Sequence, residues 1–210
     1  QLVETIGRSC QQSASEPEFR LYPFSFKVVD SPEVNAFSLP GGPVYVNLGL
    51  IELVETEDEL AAVIAHEMAH VVSRHATERM TTLQLSQMAL LVGLTAVGGA
   101  PALALEGGQL AYILGILRYS RGMESEADAV AIDLLPEAGY DPRGMEGMLR
   151  KLDEERRAEP VLLERLLSSH PLPDSRLGEV SRLLTGAATP ESPPRRSSGF
   201  ARMKVLFARD

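Results

Sequence analysis

Tryptophan is absent from this 210-residue chain, cysteine occurs once, histidine four times, and aromatic residues make up only 5%. The single cysteine, Cys10, excludes an intrachain disulfide. It leaves the compartment open, because exported proteins of this size often lack disulfides. Lys and Arg number 20 against 29 Asp and Glu, a formal net charge of −9. With no basic patch to displace counterions, nucleic acid is excluded as a partner class. Internal repeats are missing. So is the unbroken run of about twenty apolar residues that a membrane-crossing helix needs. Thr81 to Leu105 carries no charge, yet Gly93, Gly98, Gly99 and Pro101 interrupt it. Two short buried or interfacial helices joined at Gly98 to Pro101 are expected there, with peripheral membrane contact through residues 85–117 left open.

What is present suits one globular domain. The chain is 44% hydrophobic and 23% charged, and it is long enough to bury a substantial core. It starts at Gln1 rather than Met, as expected of a processed precursor or a trimmed chain, from which any export signal has already been removed.

The informative stretch is Glu57 to Met80, read as one long helix. Thr56 is a good N-cap, and Glu59 completes a capping box. Leu60, Val63, Ile64, Met68, Val71 and Val72 recur at helical spacing. Within it lies His66-Glu67-Met68-Ala69-His70. Side chains four apart share a helix face, so both imidazoles can reach one zinc ion at about 2.0–2.1 Å. Glu67 is rotated by about 100°. From there it can take the proton of a water on that ion, the general-base role in metal-assisted peptide hydrolysis.

Around this helix the patterning predicts a helix over residues 1–14, with Leu2, Val3, Ile6 and Cys10 on one face. A strand is expected over Leu21 to Val29, a second over Asn35 to Leu39, a turn at 40–43 and a third strand over Val44 to Asn47. The hairpin could present an edge to an extended peptide or be a plain structural edge. Downstream, helices are expected over Leu110 to Leu135 (stopping before Pro136), from Asp141-Pro142 to about Arg157, over Val161 to Leu167, and after Asp174 as a cap. Residues 1–185 form the domain. Residues 186–210 are a flexible tail, with 200–207 a terminal strand or a helix.

A catalytic zinc site takes three protein ligands. His75 does not fit the H-E-x-x-H-x-x-G-x-x-H spacing: Ser73 stands at the glycine and Ala76 at the third histidine. A helix unbroken through His75 also turns it away from His66, so it is read as a packing or supporting residue. A distant carboxylate remains. Glu124 and Asp128 are four apart on one helix face, which lets Glu124 bind zinc while Asp128 orients a ligand histidine. Glu126 points elsewhere, towards solvent.

HEMAH, followed by ESEAD after a Ser-Arg pair, resembles the gluzincin peptidases of the CAAX-prenyl-protease and HtpX type. NAFSLPGGPVYVNLGLIE upstream and SSHPLPDSR downstream resemble the soluble bacterial, periplasmic BepA-like branch. The resemblance covers about Phe24 to Leu184. It implies an α+β, mainly α, zincin-like metalloprotease domain with a small β-sheet beside the active-site helix. It implies one Zn2+ per chain on His66, His70 and Glu124, Glu67 as catalytic acid/base, and Asp128 behind the ligands. It also implies that Val44, Tyr45, Val46 and Asn47 line the substrate cleft. The expected function is zinc-dependent endopeptidase action on unfolded or misassembled exported proteins, in the periplasm or cell envelope. Two rivals stand beside it: a zinc-stabilised chaperone-like binding module, and a membrane-embedded protease using 88–117 as a hairpin. His170 sits in a loop flanked by serines and prolines. The resemblance places it over the zinc, either as a fourth ligand that closes the site or as an oxyanion stabiliser, with a solvent-exposed histidine the plain alternative. Arg176 is expected to stabilise the oxyanion once the loop opens.

Overall fold

A computed structural model describes residues 1–96, 119–158, 163–172, 174–187 and 195–207. The N-terminal helix α1 (Leu2–Ser13) buries Val3, Ile6 and Cys10, three of the four positions expected on its inner face. A short turn of helix, α2 (Glu18–Leu21), takes up the start of the expected first strand, so β1 begins only at Ser25 (Ser25–Val29). β2 (Ala36–Ser38) and β3 (Pro43–Asn47) form the expected hairpin. Its turn rests on Gly41 and Gly42, both at positive φ (94° and 118°), where a side chain would be strained.

The sheet order is β1-β3-β2, with β1 parallel and β2 antiparallel to β3. The expected cleft strand, Val44 to Asn47, is the centre of this sheet. β3 is hydrogen-bonded on both sides, Val44 and Val46 are fully buried, and Asn47 is buried too. It cannot accept a further strand. The free edge of the hairpin is β2.

After α3 (Leu48–Leu53) comes α4 (Glu57–Val72), opened by the predicted capping box of Thr56 and Glu59. Fourteen of its 16 residues are buried. Ala61, Ala62, Ala65 and Ala69 let neighbouring elements approach closely on several sides. α6 (Arg121–Glu137) and α7 (Arg143–Ala158) pack across it, with α1 and β2 also against it. Gly144 shows how close: a Cβ there would lie 2.4 Å from the Asp58 carbonyl oxygen.

The expected continuous helix to Met80 is broken. Ser73 N–H closes onto Ala69 O at 2.9 Å and Arg74 N–H onto Val71 O at 3.1 Å. Arg74 then takes a left-handed φ of 57°, and a new helix, α5 (His75–Ala96), sets off. Residues 85–96 continue α5 instead of forming a short helix of their own; the rest of the expected pair, and the start of the helix expected from Leu110, lie outside the described residues. Among the described residues no helix is long and apolar enough to cross a membrane.

Pro136 does not stop α6 but sits in its last turn. Proline's fixed φ is itself helical, and the hydrogen bond it forgoes is near the end anyway. The stop comes at Gly139 (φ 79°), with Tyr140 N–H returning to Leu135 O at 2.9 Å. Beyond α7 follow α8 (Glu164–Ser169) and α9 (Asp174–Leu184). Residues 200–207 are helical, in α10 (Ser198–Phe207), because Phe200 and Met203 bury themselves at helical spacing. Arg195 fastens this segment to α4: its carbonyl accepts from Glu57 N–H at 2.8 Å, and its N–H donates to Asp58 Oδ2.

Burial pushes the Cys10 thiol from 9.0 up to about 12. The folded state therefore holds a proton that the unfolded chain gives up at lower pH, so this contribution to stability is complete below pH 9 and is lost as pH rises towards 12. Denaturant midpoints of the wild type should fall faster over that window than those of Cys10→Ala; parallel curves would show that the thiol stays unperturbed.

Candidate functional site

His66 and His70 come from successive turns of α4, with their Nε2 atoms 3.0 Å apart and their rings nearly perpendicular at 84°. α6 crosses α4 at this point and presents Glu124 and Asp128 from one face, as their spacing requires. Glu124 Oε1 lies 3.4 Å from His70 Nε2, and Oε2 lies 3.6 Å from His66 Nε2. His170, at the end of α8, brings Nδ1 to 3.1 Å from Glu124 Oε1. One ligand atom from each of these four buried residues lies within 4.8 Å of all the others. Donors about 2.1 Å from a tetrahedral ion stand roughly 3.4 Å apart. Separations of 3.0, 3.4 and 3.6 Å match that requirement closely. Three imidazoles and a carboxylate are the donor set that zinc accepts, so these residues could hold such an ion.

The outer nitrogens are engaged as well, which turns both Nε2 atoms inward. His66 Nδ1 lies 2.9 Å from Asp128 Oδ1. His70 Nδ1 lies 2.8 Å from His75 Nδ1. The break at Arg74 folds His75 back against His70, where an unbroken helix would not have put it. Its own Nε2 is 3.5 Å from Glu126 Oε2, so the Glu126 side chain, 60% exposed, is not simply solvated.

Arg176 projects from α9 into the same cluster. Its Nε and Nη2 each donate to an Asp128 oxygen at 2.8 Å, and Nη1 is 2.6 Å from Glu124 Oε2. In this arrangement the guanidinium is committed to two carboxylates and is not free for an oxyanion. Glu67 is 2% exposed. Its Oε2 accepts from the Ser38 hydroxyl of β2 at 2.9 Å, and His170 Nε2 stands 3.5 Å from Oε1. His170 is therefore not a solvent-exposed loop histidine: it is 5% exposed and sits between two carboxylates.

The electrostatics separate the two α4 histidines. Burial disfavours the His66 cation, but hydrogen bonds to Asp128 and Glu124 outweigh it and raise His66 to about 9. Burial also dominates at His70, reinforced by His66 and His170, and holds it well below the ordinary value. Burial opposes the Asp128 charge, yet Arg176 outweighs it and brings the carboxyl down to about 2. At Glu124 burial is overcome by His170 first, then by hydrogen bonds from His66 and His70, which hold the carboxyl below its usual range.

Two participants had no role in the sequence reading. Tyr119 stacks on His70 with ring centroids 4.0 Å apart and 16° between planes, and its N–H donates to Ser169 O at 2.9 Å. Its signal was its place, one residue before the Ser120 cap of the helix that carries Glu124. Ser38 was legible only as a residue within the expected strand Asn35 to Leu39. By contrast, Val44 to Asn47 lie inside the sheet and take no part in the cluster.

The peptidase family M48 model matches residues 2–184. A beta-barrel assembly-enhancing protease from Yersinia pestis is 32% identical over 213 aligned residues, 98% of this chain and 43% of that protein. Its Escherichia coli K12 counterpart is 35% identical over 165 residues, 75% and 34% respectively. The mitochondrial metalloendopeptidase OMA1 of Schizosaccharomyces pombe is 34% identical over 166 residues, 76% of this chain and 46% of its own. The chain thus spans between a third and a half of the length of these curated relatives.

Glu124→Ala should leave the purified protein without stoichiometric metal, because it removes the one anionic ligand and leaves the Arg176 cation, 2.6 Å from Glu124 Oε2, uncompensated beside the site. His75→Ala should still load fully, with affinity weaker by about 10- to 100-fold, as for loss of a group behind a ligand. Metal analysis with a competing chelator checks both. A fully loaded Glu124 variant, or an empty His75 variant, would reassign the third ligand.

Proposed function

The chain belongs to peptidase family M48, and on that premise we propose that it is a zinc-dependent endopeptidase acting on polypeptides. The observation that carries this reading is the buried convergence of His66, His70 and Glu124 with Glu67 beside them. His66 Nε2, His70 Nε2 and a Glu124 oxygen would hold one zinc ion per chain. Asp128 and His75 keep the two imidazoles turned towards it. Zinc, when bound, would polarise the scissile carbonyl and make a water in its open position acidic.

The rest falls to the protein's own groups. Glu67 accepts the water's proton as the water attacks, then hands it to the departing amine. The Ser38 hydroxyl on Oε2 leaves Oε1 as the oxygen that exchanges protons. Tyr119, lying flat on His70, keeps solvent from that side of the ring. An extended substrate would pair with the free edge of β2, which puts its backbone beside Ser38 and Glu67.

We extend this reading to unfolded or misassembled exported proteins as substrates, in the periplasm or cell envelope, in keeping with bacterial relatives named as proteases that enhance beta-barrel assembly. Leu85, Met88 and Val92, exposed along α5, support peripheral contact with a membrane surface. The rival binding module has no use for a buried carboxylate held by Ser38 next to the ligands. Glu67→Gln separates the two readings. It should retain zinc and lose casein hydrolysis by on the order of 10²-fold or more; an unchanged rate would overturn the assigned base.

A second proposal concerns His170. With Nδ1 on Glu124 and Nε2 near Glu67, its ring fills the place where water and substrate must enter. We read this as a closed state in which the histidine is a fourth ligand. Opening the loop would clear that place and leave Arg176 to help the oxyanion once Nη1 parts from Glu124. His170→Ala should then raise basal proteolysis with zinc content unchanged. A much slower variant would instead make His170 the oxyanion stabiliser.

A further inference from the structure

Where α4 ends and α5 sets off, a notch opens beside the metal-ligand cluster. It is a cavity of about 270 Å³, counting its open side. Arg74 and Thr77 line it from the helical side, Leu39 and Gly41 line it from the hairpin, and it reaches the cluster at His70 and Tyr119. Among the described residues Arg74 is the one permanent charge in this lining, and no carboxylate faces it there. Its Nε–H goes to the Tyr22 hydroxyl at 3.3 Å, and the guanidinium makes no ion pair with a described residue. Both Nη groups are therefore open to a ligand, in a chain whose net charge is −9. Arg74 also holds a left-handed φ of 57°, where Gly or Asn would stand with less strain. A long cation kept on a strained backbone beside a site points to a use for the cation.

We infer that Arg74 binds an acidic side chain of the substrate, Asp or Glu, on the carbonyl side of the scissile bond and within two residues of it. The inference rests on the peptidase reading and adds a charge preference to it. Two observations give the side. The cavity borders His70 but not Glu67, so it lies away from the base that serves the departing amine. It also lies at the hairpin end of β2, next to Ser38 and Leu39. A peptide pairing antiparallel with β2, the commoner arrangement, passes this end before it reaches Glu67. An acidic side chain would meet the two open Nη groups in the fork that matches a carboxylate. A Lys side chain would meet like charge instead. An apolar one would shed water from the guanidinium without replacing it.

The first arm of the test measures binding to the Glu67→Gln protein by fluorescence polarisation. The labelled peptides are short chains of Gly, Ser and Ala with one varied residue: Glu, Gln or Lys. Glu should bind about three- to tenfold tighter than Gln, the range of a charge-assisted contact to a half-sheltered guanidinium, with Lys weakest. The gap should close at about 1 M salt. Adding Arg74→Gln should erase the preference, and adding Arg74→Glu should turn it towards Lys. Tyr22→Phe removes the same hydrogen bond but leaves the charge, so it should keep the preference for Glu. Where thermal melts show that Arg74→Glu misfolds, Arg74→Lys takes its place and should retain the preference. Equal affinity for Glu and Gln, or a preference that survives Arg74→Gln, overturns the inference. Loss of the preference in Tyr22→Phe does so too, because it would make the role of Arg74 purely structural. The second arm maps the cuts made in casein by the wild type, scored against the composition of casein. Asp and Glu should be enriched at the first or second residue before the cut. Cleavage without that enrichment sinks the Arg74 assignment and leaves the peptidase standing. Charge-selective binding without any cleavage does the reverse.

Discussion

A helix buried on nearly every side must have each of its polar groups satisfied by a neighbour, and α4 is such a helix. An unpaired buried polar group costs about 1–3 kcal/mol, so α4 fixes where its neighbours' polar groups must be. Asp58 takes the N–H groups of Asp141 and Arg195, which seats the start of α7 and the C-terminal segment. Glu59 is held by Thr56 and Lys151. His66 requires Asp128, His70 requires His75, and Glu67 requires Ser38. The sites at the two ends of the helix follow one rule: polar side chains in the interior draw specific partners from separate elements. The site is accurate because the fold is not free to place those partners elsewhere.

The rule is strictest for charge. Glu124 and Asp128 are each almost fully buried, and so is Arg176 opposite them. Removing one member of such a set typically costs about 3–5 kcal/mol, because the remainder is left uncompensated. Arg176 therefore ties α9 to α6 as firmly as any apolar contact does, and it carries the adjoining His170 loop with it. That loop is fixed a second time, through Tyr119 N–H on Ser169 O. The His170 ring is thus held between Glu124 and Glu67 by constraints from two sides, with Tyr119 close by at 5.2 Å between ring centroids.

Much of this was legible in the sequence wherever local periodicity carried it. The capping box at Thr56, the shared face of His66 and His70, and the i, i+4 pairing of Glu124 with Asp128 are all decided within one or two turns of helix. What escaped depends on distant partners or on single backbone dihedrals. No pattern announces that Arg74 leaves the helix; the stretch to Met80 contains no Gly or Pro, so it read as continuous. β3 became a central strand only because β1, which precedes the hairpin, pairs with it in parallel, a long-range choice invisible in alternation. The helix at 198–207 was equally undecidable, since only the groove beside α3 makes Phe200 and Met203 an inner face. Lys204 Nζ confirms that docking by meeting Val54 O at 2.9 Å.

The break at Arg74 has the largest consequence for the site. The two α4 imidazoles are supported by unlike partners. His66 leans on a buried carboxylate that is itself clamped by Arg176. His70 leans on another imidazole, whose far nitrogen lies 3.5 Å from Oε2 of the exposed Glu126. An anion strengthens a ligand's basicity more than another imidazole does. The two nitrogens facing one ion therefore differ in strength, in the same direction as their opposite protonation tendencies. The weaker support depends on a non-glycine residue at positive φ, a conformation that costs on the order of 1–2 kcal/mol. Arg74 recovers part of that through its Nε–H bond to the Tyr22 hydroxyl at 3.3 Å. A single strained dihedral, fastened to the segment before β1, thus decides whether His70 has a partner behind it.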